Sequence, residues 1–299
     1  MFLSFIKMHG AGNDFVMFDA RRQPVALTPG QVRQIAARSN AVTQGCDQVI
    51  VLEPSRAADI FMRIHNADGG EVAACGNATR CVASLLEEEL KRLPVKIETK
   101  AGILQGLEKA YTPGGEEYIL VDMGAPRLDW QDIPLAFPLQ ESAEKVERFC
   151  DLKNPAFVSM GNPHMVFFLR FDPAESATDA DSADLANMDL AHIGSALEHY
   201  TEVFPEGVNV SVATLRAAKD GLGHIIHARV WERGAGLTKA CGTAACAMLA
   251  AAHARNAVVR QAHLWFEPEG YAVTVKFDDS GHILLGGPVE TEFEGTWNV

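Results

Sequence analysis

Positive charge is in short supply in this sequence. Its 299 residues hold 26 lysines and arginines against 39 acidic residues, a formal charge of −13. That balance gives no basic footprint for a phosphate backbone, and an anionic membrane surface would repel it, so neither nucleic acid nor membrane is expected as a partner. Equally missing is any continuous apolar run of about 18 residues. The opening stretch, MFLSFIKMHGAGND, shows neither a basic leader nor a small-residue cleavage site, and a cytoplasmic protein is expected. No C-x-x-C pair occurs among Cys46, Cys75, Cys81, Cys150, Cys241 and Cys246, and no histidine stands at ligand spacing beside the close pairs. Neither a disulfide framework nor a metal site is therefore expected. A small soluble ligand is the default that remains.

What the chain does have is an internal repeat. NADGGEVAACGNATRC at 66–81 returns 166 residues later as ERGAGLTKACGTAAC. In that register, without a gap, Arg63 aligns with Arg229, Gly70 with Gly236, Ala74 with Ala240, Cys75 with Cys241, Gly76 with Gly242 and Ala78 with Ala244. A second correspondence, GNDFVMF at 12–18 with GNPHMVF at 161–167, lies near the start of each half. Length and repeat together predict two domains, and 47% hydrophobic residues suffice for a core in each. The boundary is expected near Gly124–Pro126. Residues 1–124, completed by a C-terminal strand at 287–299, form one domain and residues 125–286 the other.

Alternating apolar patterns predict strands at 2–9, 14–20, 48–54, 59–65, 94–100, 102–110 and 116–124 in the first half. The second half repeats them at 156–169, 207–217, 224–233, 261–268, 271–277 and 282–287. Helices are predicted over 28–40, with Thr28 as N-cap and Pro29 at the first helical position, and over 80–92, 189–200 and 243–256. The acidic, small-residue stretch 172–185 reads as a surface loop.

A glycine directly after each repeated cysteine lets backbone approach a ligand closely, and the segment from Asn77 or Thr243 onward is rich in helix formers. Cys75 and Cys241 then sit at helix N-termini. Unpaired N–H groups and the positive end of the helix dipole there are expected to lower a thiol pKa from ~8.5 toward neutral and to offer donors to a carboxylate. Cys81 and Cys246 fall inside the predicted helices and read as small buried hydrophobes, as do Cys46 and Cys150. Two such domains related by an approximate twofold would present one thiol to each face of a ligand. An acid and a base on opposite faces of one carbon can invert it.

KMHGAGNDFVMFD, NADGGEVAACGNATRC, MGNPH, GVNV and WERGAGLTKACGTAAC span nearly the whole chain, and as a set they resemble diaminopimelate epimerases. The resemblance implies an α/β (α+β) fold of two pseudo-symmetric domains, each a curved, barrel-like, mostly antiparallel sheet around a central helix. It also implies epimerisation of LL- to meso-diaminopimelate for lysine and peptidoglycan precursors, with no cofactor and no metal, in a homodimer. Position by position, Cys75 and Cys241 match the catalytic thiols. Gly76, Asn77, Gly242 and Thr243 match the donors to the reacting carboxylate. Glu232 and the Arg233 backbone match the site of the reacting amino group, and His164 and Glu232 match the groups that poise the thiols. Asn66, Asn162, Asn209 and the Arg233 side chain match the recognition of the distal amino-acid end, and Asn13 and Gln48 match further substrate contacts.

Three positions depart from the family pattern: Ala78 and Ala244 stand where glycine is expected, and Cys46 stands where alanine is expected. The two extra methyl groups would slightly alter the pocket. Other readings remain open on these residues. A related cofactor-independent racemase acting on proline or hydroxyproline would place histidine after the first Cys-Gly, where this chain has Asn77. A histidine racemase would differ in its distal pocket, and a redox sensor would join Cys75 to Cys241 without turning over an amino acid.

Overall fold

A computed structural model describes residues 2–111, 115–176, 185–218, 223–268 and 271–298. The chain divides into two compact units, one of residues 1–122 with 286–299 and the other of residues 123–285.

The first unit runs β1 (Phe2–Gly10), β2 (Asn13–Asp19), α1 (Pro29–Ala36), β3 (Gln48–Glu53), β4 (Ile60–Asn66), β5 (Glu71–Val72), α2 (Gly76–Leu90), β6 (Val95–Thr99), β7 (Gly102–Tyr111) and β8 (Glu117–Asp122). The second unit runs α3 (Leu139–Phe149), β9 (Ala156–Ser159), β10 (Pro163–Ser176), α4 (Leu190–Glu198), β11 (Asn209–Ala217), β12 (His224–Glu232), β13 (Gly236–Thr238), α5 (Gly242–Arg255), β14 (Gln261–Phe266), β15 (Tyr271–Phe277) and β16 (Ile283–Gly286). The chain then returns to the first unit as β17 (Val289–Asn298), which pairs antiparallel with β1.

The two units share one pairing scheme. β1–β2 is antiparallel, β2–β3 parallel, β3–β4 antiparallel, β4–β6 parallel and β6–β7 antiparallel. The same alternation recurs in β9–β10, β10–β11, β11–β12, β12–β14 and β14–β15. Parallel neighbours need a crossover longer than a hairpin. α1 and α2 supply it in the first unit, and α4 and α5 in the second. The repeated cysteines open the second crossover helix of each unit.

Those helices are enclosed by their own sheets. α2 packs against β1, β6, β7, β8 and β17, and α5 against β9, β10, β11, β14 and β15. Residues 244–252 of α5 are all buried, so small side chains are needed all round the helix rather than along one stripe. α2 is buried from Gly76 to Ala83 and turns acidic and exposed only towards its end. In the second unit the sheet also packs against a cluster in which Leu190, Leu197, Val203, Phe204, Val210 and Val212 are buried.

Several local expectations change. α1 stops at Ala36 rather than reaching Asn40, because the Asn40 side chain accepts the Val42 and Thr43 N–H groups and donates to the Gln34 carbonyl, favouring a turn. α2 begins at Gly76, one residue before the helical segment expected from Asn77 onward, with Cys75 at its N-terminus. Helix α3 was not expected from the sequence; it is held by two inward residues a turn apart, Ser142 and Val146. Of the stretch read as a surface loop, residues 172–176 continue β10 and 177–184 lie outside the described residues. No helix among the described residues is long and apolar enough to cross a membrane.

Candidate active site

Cys75 and Cys241 are the N-caps of α2 and α5, with nearly the same backbone: φ −148° and ψ 115° at Cys75, φ −139° and ψ 117° at Cys241. The first helical bonds run from the Thr79 N–H to the Cys75 carbonyl (2.9 Å) and from the Ala245 N–H to the Cys241 carbonyl (3.0 Å). The N–H groups of Gly76 and Asn77, and of Gly242 and Thr243, therefore precede any intrahelical acceptor and are aimed outward from the helix start.

The second unit gathers its expected residues into one connected chain. His164 is fully buried at the start of β10 and donates from Nε2 to the Asn162 amide oxygen (3.0 Å). The Asn162 amide nitrogen faces Thr243 Oγ1 (3.4 Å), and that hydroxyl lies 3.4 Å from the Cys241 sulfur. The Glu232 carboxylate is near enough to act on the Cys241 thiol as well. The next residue, Arg233, donates its backbone N–H to Asn209 Oδ1 (2.9 Å), and Asn209 Nδ2 donates to the Pro163 carbonyl (2.8 Å). Asn209 is thus a brace between the start of β10 and the turn after β12. The Arg233 guanidinium is exposed, with one donor on the Glu206 carbonyl.

Burial decides the protonation states here. The Cys241 thiol is pushed well above its ordinary value, first by burial and then by the charge and hydrogen bond of Glu232; Thr243 and the Ala244 N–H pull the other way and lose. This corrects the expectation of a depressed thiol pKa at this helix end. The helix terminus stabilises a thiolate, but a carboxylate beside a fully buried sulfur outweighs it. His164 is held neutral, its pKa pushed down to about 3 by burial and then by Arg233. Because Nε2 carries the proton in its bond to Asn162, Nδ1 is a bare acceptor, and it has no partner among the described residues.

The first unit gathers its residues in two pairs. Gln48 and Asn66 lie opposite each other on β3 and β4, and Gln48 donates to the Asn66 amide oxygen (2.9 Å). Gln48 Oε1 is buried with no partner. Asn13, at the head of β2, accepts from Asn77 and donates to the Asp47 carboxylate (3.3 Å). Cys75 itself is half-buried. Cys46 is buried in the core beneath β2 and β3, its thiol pushed up to about 12, and Cys81 likewise to about 12, in both by burial first. Ala78 and Ala244, the departures from glycine, are fully buried in the first helical turn.

Sequence reasoning missed the charged residues behind this half. Asp14 and Asp47 are joined by Arg38, and buried Lys7 bonds to Asp14 and to the Gly45 carbonyl. Burial opposes ionisation of Asp14, but Arg38 and Lys7 together hold it well below the usual range. Arg80, inside the buried first turns of α2, bonds to Asn77. The available signal was a charged residue at an inward strand position in FLSFIKMH and another inside the apolar helix start GNATRCVAS.

The chain is similar to known proteins over nearly its whole length. A family model described as diaminopimelate epimerase matches residues 5–128 and 156–291. The diaminopimelate epimerase of Acidiphilium cryptum is 45% identical over 97% of this chain and 95% of its own length. That of Rhodospirillum centenum is 45% identical over 97% and 91%. Among solved structures, a Bacillus anthracis phenazine biosynthesis protein of the PhzF family shares the fold with TM-score 0.64 at 19% identity, each chain covered in full. A hydroxyproline epimerase from Agrobacterium vitis does so with TM-score 0.59 at 16% identity, covering 99% of this chain and 91% of the other.

Proposed function

The chain belongs to the diaminopimelate epimerase family, and on that basis we propose that Cys75 and Cys241 are its acid–base pair, interconverting LL- and meso-diaminopimelate without a cofactor or metal. The observation that carries this reading is the pair of cysteines at matching N-caps, each followed by outward N–H groups.

One thiolate takes the α-proton, leaving its electron pair on the α-carbon and, by conjugation, on the carboxylate. The N–H groups of Gly76 and Asn77 and of Gly242 and Thr243 stabilise that negative charge. The other thiol delivers its own proton to the opposite face of the carbon, which is thereby inverted. The net change is one proton moved between sulfurs, and proton exchange of the two thiols with solvent restores the starting state for the next turnover. Two-base chemistry requires one thiol to be protonated while the other is not, and the buried Cys241 thiol on Glu232 is suited to hold a proton. An α-ammonium bound at Glu232 would cancel the carboxylate's repulsion and ease release of that proton to substrate.

Asn66, Asn162, Asn209 and Arg233 are assigned to the distal amino-acid end, and Asn13 and Gln48 to further contacts. The unpartnered acceptors Gln48 Oε1 and His164 Nδ1 are suited to a ligand's N–H groups. His164 poises Cys241 only through Asn162 and Thr243. Incubation with LL-diaminopimelate in deuterated water tests the assignment: meso product carrying one deuterium at the inverted carbon supports it, and meso product without label, or no product, overturns it. A homodimer acting in the cytoplasm is part of the same proposal; light scattering should return twice the chain mass of 32.4 kDa.

A further inference from the structure

Arg80 is 1% exposed, yet among the described residues no carboxylate pairs with it. A buried guanidinium normally keeps a counter-ion, because a charge removed from water loses its hydration. Here the side chain satisfies itself on neutral oxygens. Nη1 donates to the carbonyls of Gly287 (2.7 Å) and Pro288 (3.3 Å), and Nη2 to Asn77 Oδ1 (2.8 Å), while Nε has no partner.

The partners of Arg80 form a line of fixed polarity. With a donor at one end, Asn77 must present its oxygen to Arg80 and its nitrogen to Asn13 Oδ1. Asn13 must then turn its own nitrogen to the Asp47 carboxylate. A cation at one end and an anion at the other leave neither amide free to flip. The cation also lies inside the first turns of the helix capped by Cys75, and its charge acts on that sulfur and on Cys81.

We propose that Arg80 is a positioning residue: its buried, carboxylate-free charge orients the Asn77 and Asn13 amides and makes Cys75, rather than Cys241, the sulfur that gives up its proton in the resting protein. The contrast between the halves follows, with an uncompensated cation behind Cys75 and a carboxylate beside Cys241. Other charges near α2 cannot substitute. On the strands packed against it, Lys7 is buried but committed to Asp14 and Gly45, and Tyr118 is buried. His9, Lys96, Glu98, Glu108, Lys109, Tyr111, Glu117, Asp122, Glu290, Glu292 and Glu294 are half-buried or exposed, and solvent screens them. On the helix itself, Glu87, Glu88 and Glu89 lie at the far end.

This inference rests on reading Cys75 as a catalytic thiol, but its test needs no turnover. The rate of iodoacetamide alkylation at Cys75 is followed against pH by peptide mass in the full chain, in wild type, Arg80→Met and Arg80→Lys. Arg80→Met should raise the midpoint by about one pH unit, slowing alkylation about tenfold at pH 7. Arg80→Lys, which keeps the charge, should restore the midpoint. A midpoint unchanged in a folded Arg80→Met, or raised equally in both variants, overturns the proposal. Should Arg80→Met not fold, wild type is read in 0.05 M and 1 M KCl. A buried charge predicts a constant midpoint, and a rise of half a unit or more would assign the effect to surface charge and overturn the proposal. A protein that alkylates as expected but does not epimerise diaminopimelate overturns the function and leaves this inference standing.

Discussion

His164 occupies in the second unit the place that Phe15 holds in the first: each faces the head of the next parallel strand, Asn209 and Gln48 respectively. The exchange of an apolar ring for a titratable one makes stability depend on pH. The folded pKa of about 3 lies below the ordinary 6.5, so between these values the unfolded chain binds a proton that the folded chain excludes. The stabilisation is fully present above pH 6.5 and is lost as pH falls towards 3. Between pH 7 and pH 5 the loss should be about 2 kcal/mol, at ~1.4 kcal/mol per unit. Urea unfolding of wild type and His164→Phe at both pH values checks this; equal losses in the two proteins would refute it. At Cys241 the removable cause of the raised pKa is Glu232. Glu232→Gln should speed alkylation of Cys241 several-fold at pH 8 while lowering epimerisation by roughly 10²-fold or more. Slower alkylation in that variant would show that the carboxylate does not repel the thiolate.

At the scale of elements, the site depends on how closely helices meet strands. Gly194 in α4 lies so near β12 that a Cβ would sit 2.4 Å from Trp231 Cγ, and Trp231 is further tied to the same helix by its indole N–H to Glu198 (2.7 Å). Gly194→Ala must therefore push α4 from β12, at a cost of about 1–3 kcal/mol. Because Glu232 follows Trp231 directly, kcat/KM should fall along with the urea midpoint. A variant that loses stability but keeps full activity would show that β12 does not transmit the shift. The start of α1 was legible beforehand: Thr28 Oγ1 accepts the Gln31 N–H (3.3 Å) and Gln31 returns the bond to the Thr28 N–H (2.8 Å). Caps are local chemistry and can be read in a few residues. The end of α1 was not, because Asn40 ends it with a side-chain turn that competes with the helix.

At the scale of the molecule, a site built for two amino-acid ends should discriminate strongly. Lysine carries the distal amine of diaminopimelate but no distal carboxylate, so Arg233 and the asparagines assigned with it would be left with unmade bonds, at roughly 1–3 kcal/mol each. Its kcat/KM should fall roughly fivefold or more below that of diaminopimelate for every such bond lost, and comparable turnover of the two would refute the assignment of Asn66, Asn162, Asn209 and Arg233. The sequence alone determined the repeat, the long strands and crossover helices of both halves and the two repeated cysteines, but not α3, β5 or β13, since periodicity, caps and Cys-Gly junctions are written in neighbouring residues. Only the tertiary structure decided the charge on each sulfur's surroundings. Glu232 reaches Cys241 from nine residues before it, Arg80 answers to carbonyls at Gly287 and Pro288, and Asp47 meets Asn13 across two strands. Burial and partners far away in sequence set a protonation state, and no local pattern of residues records them.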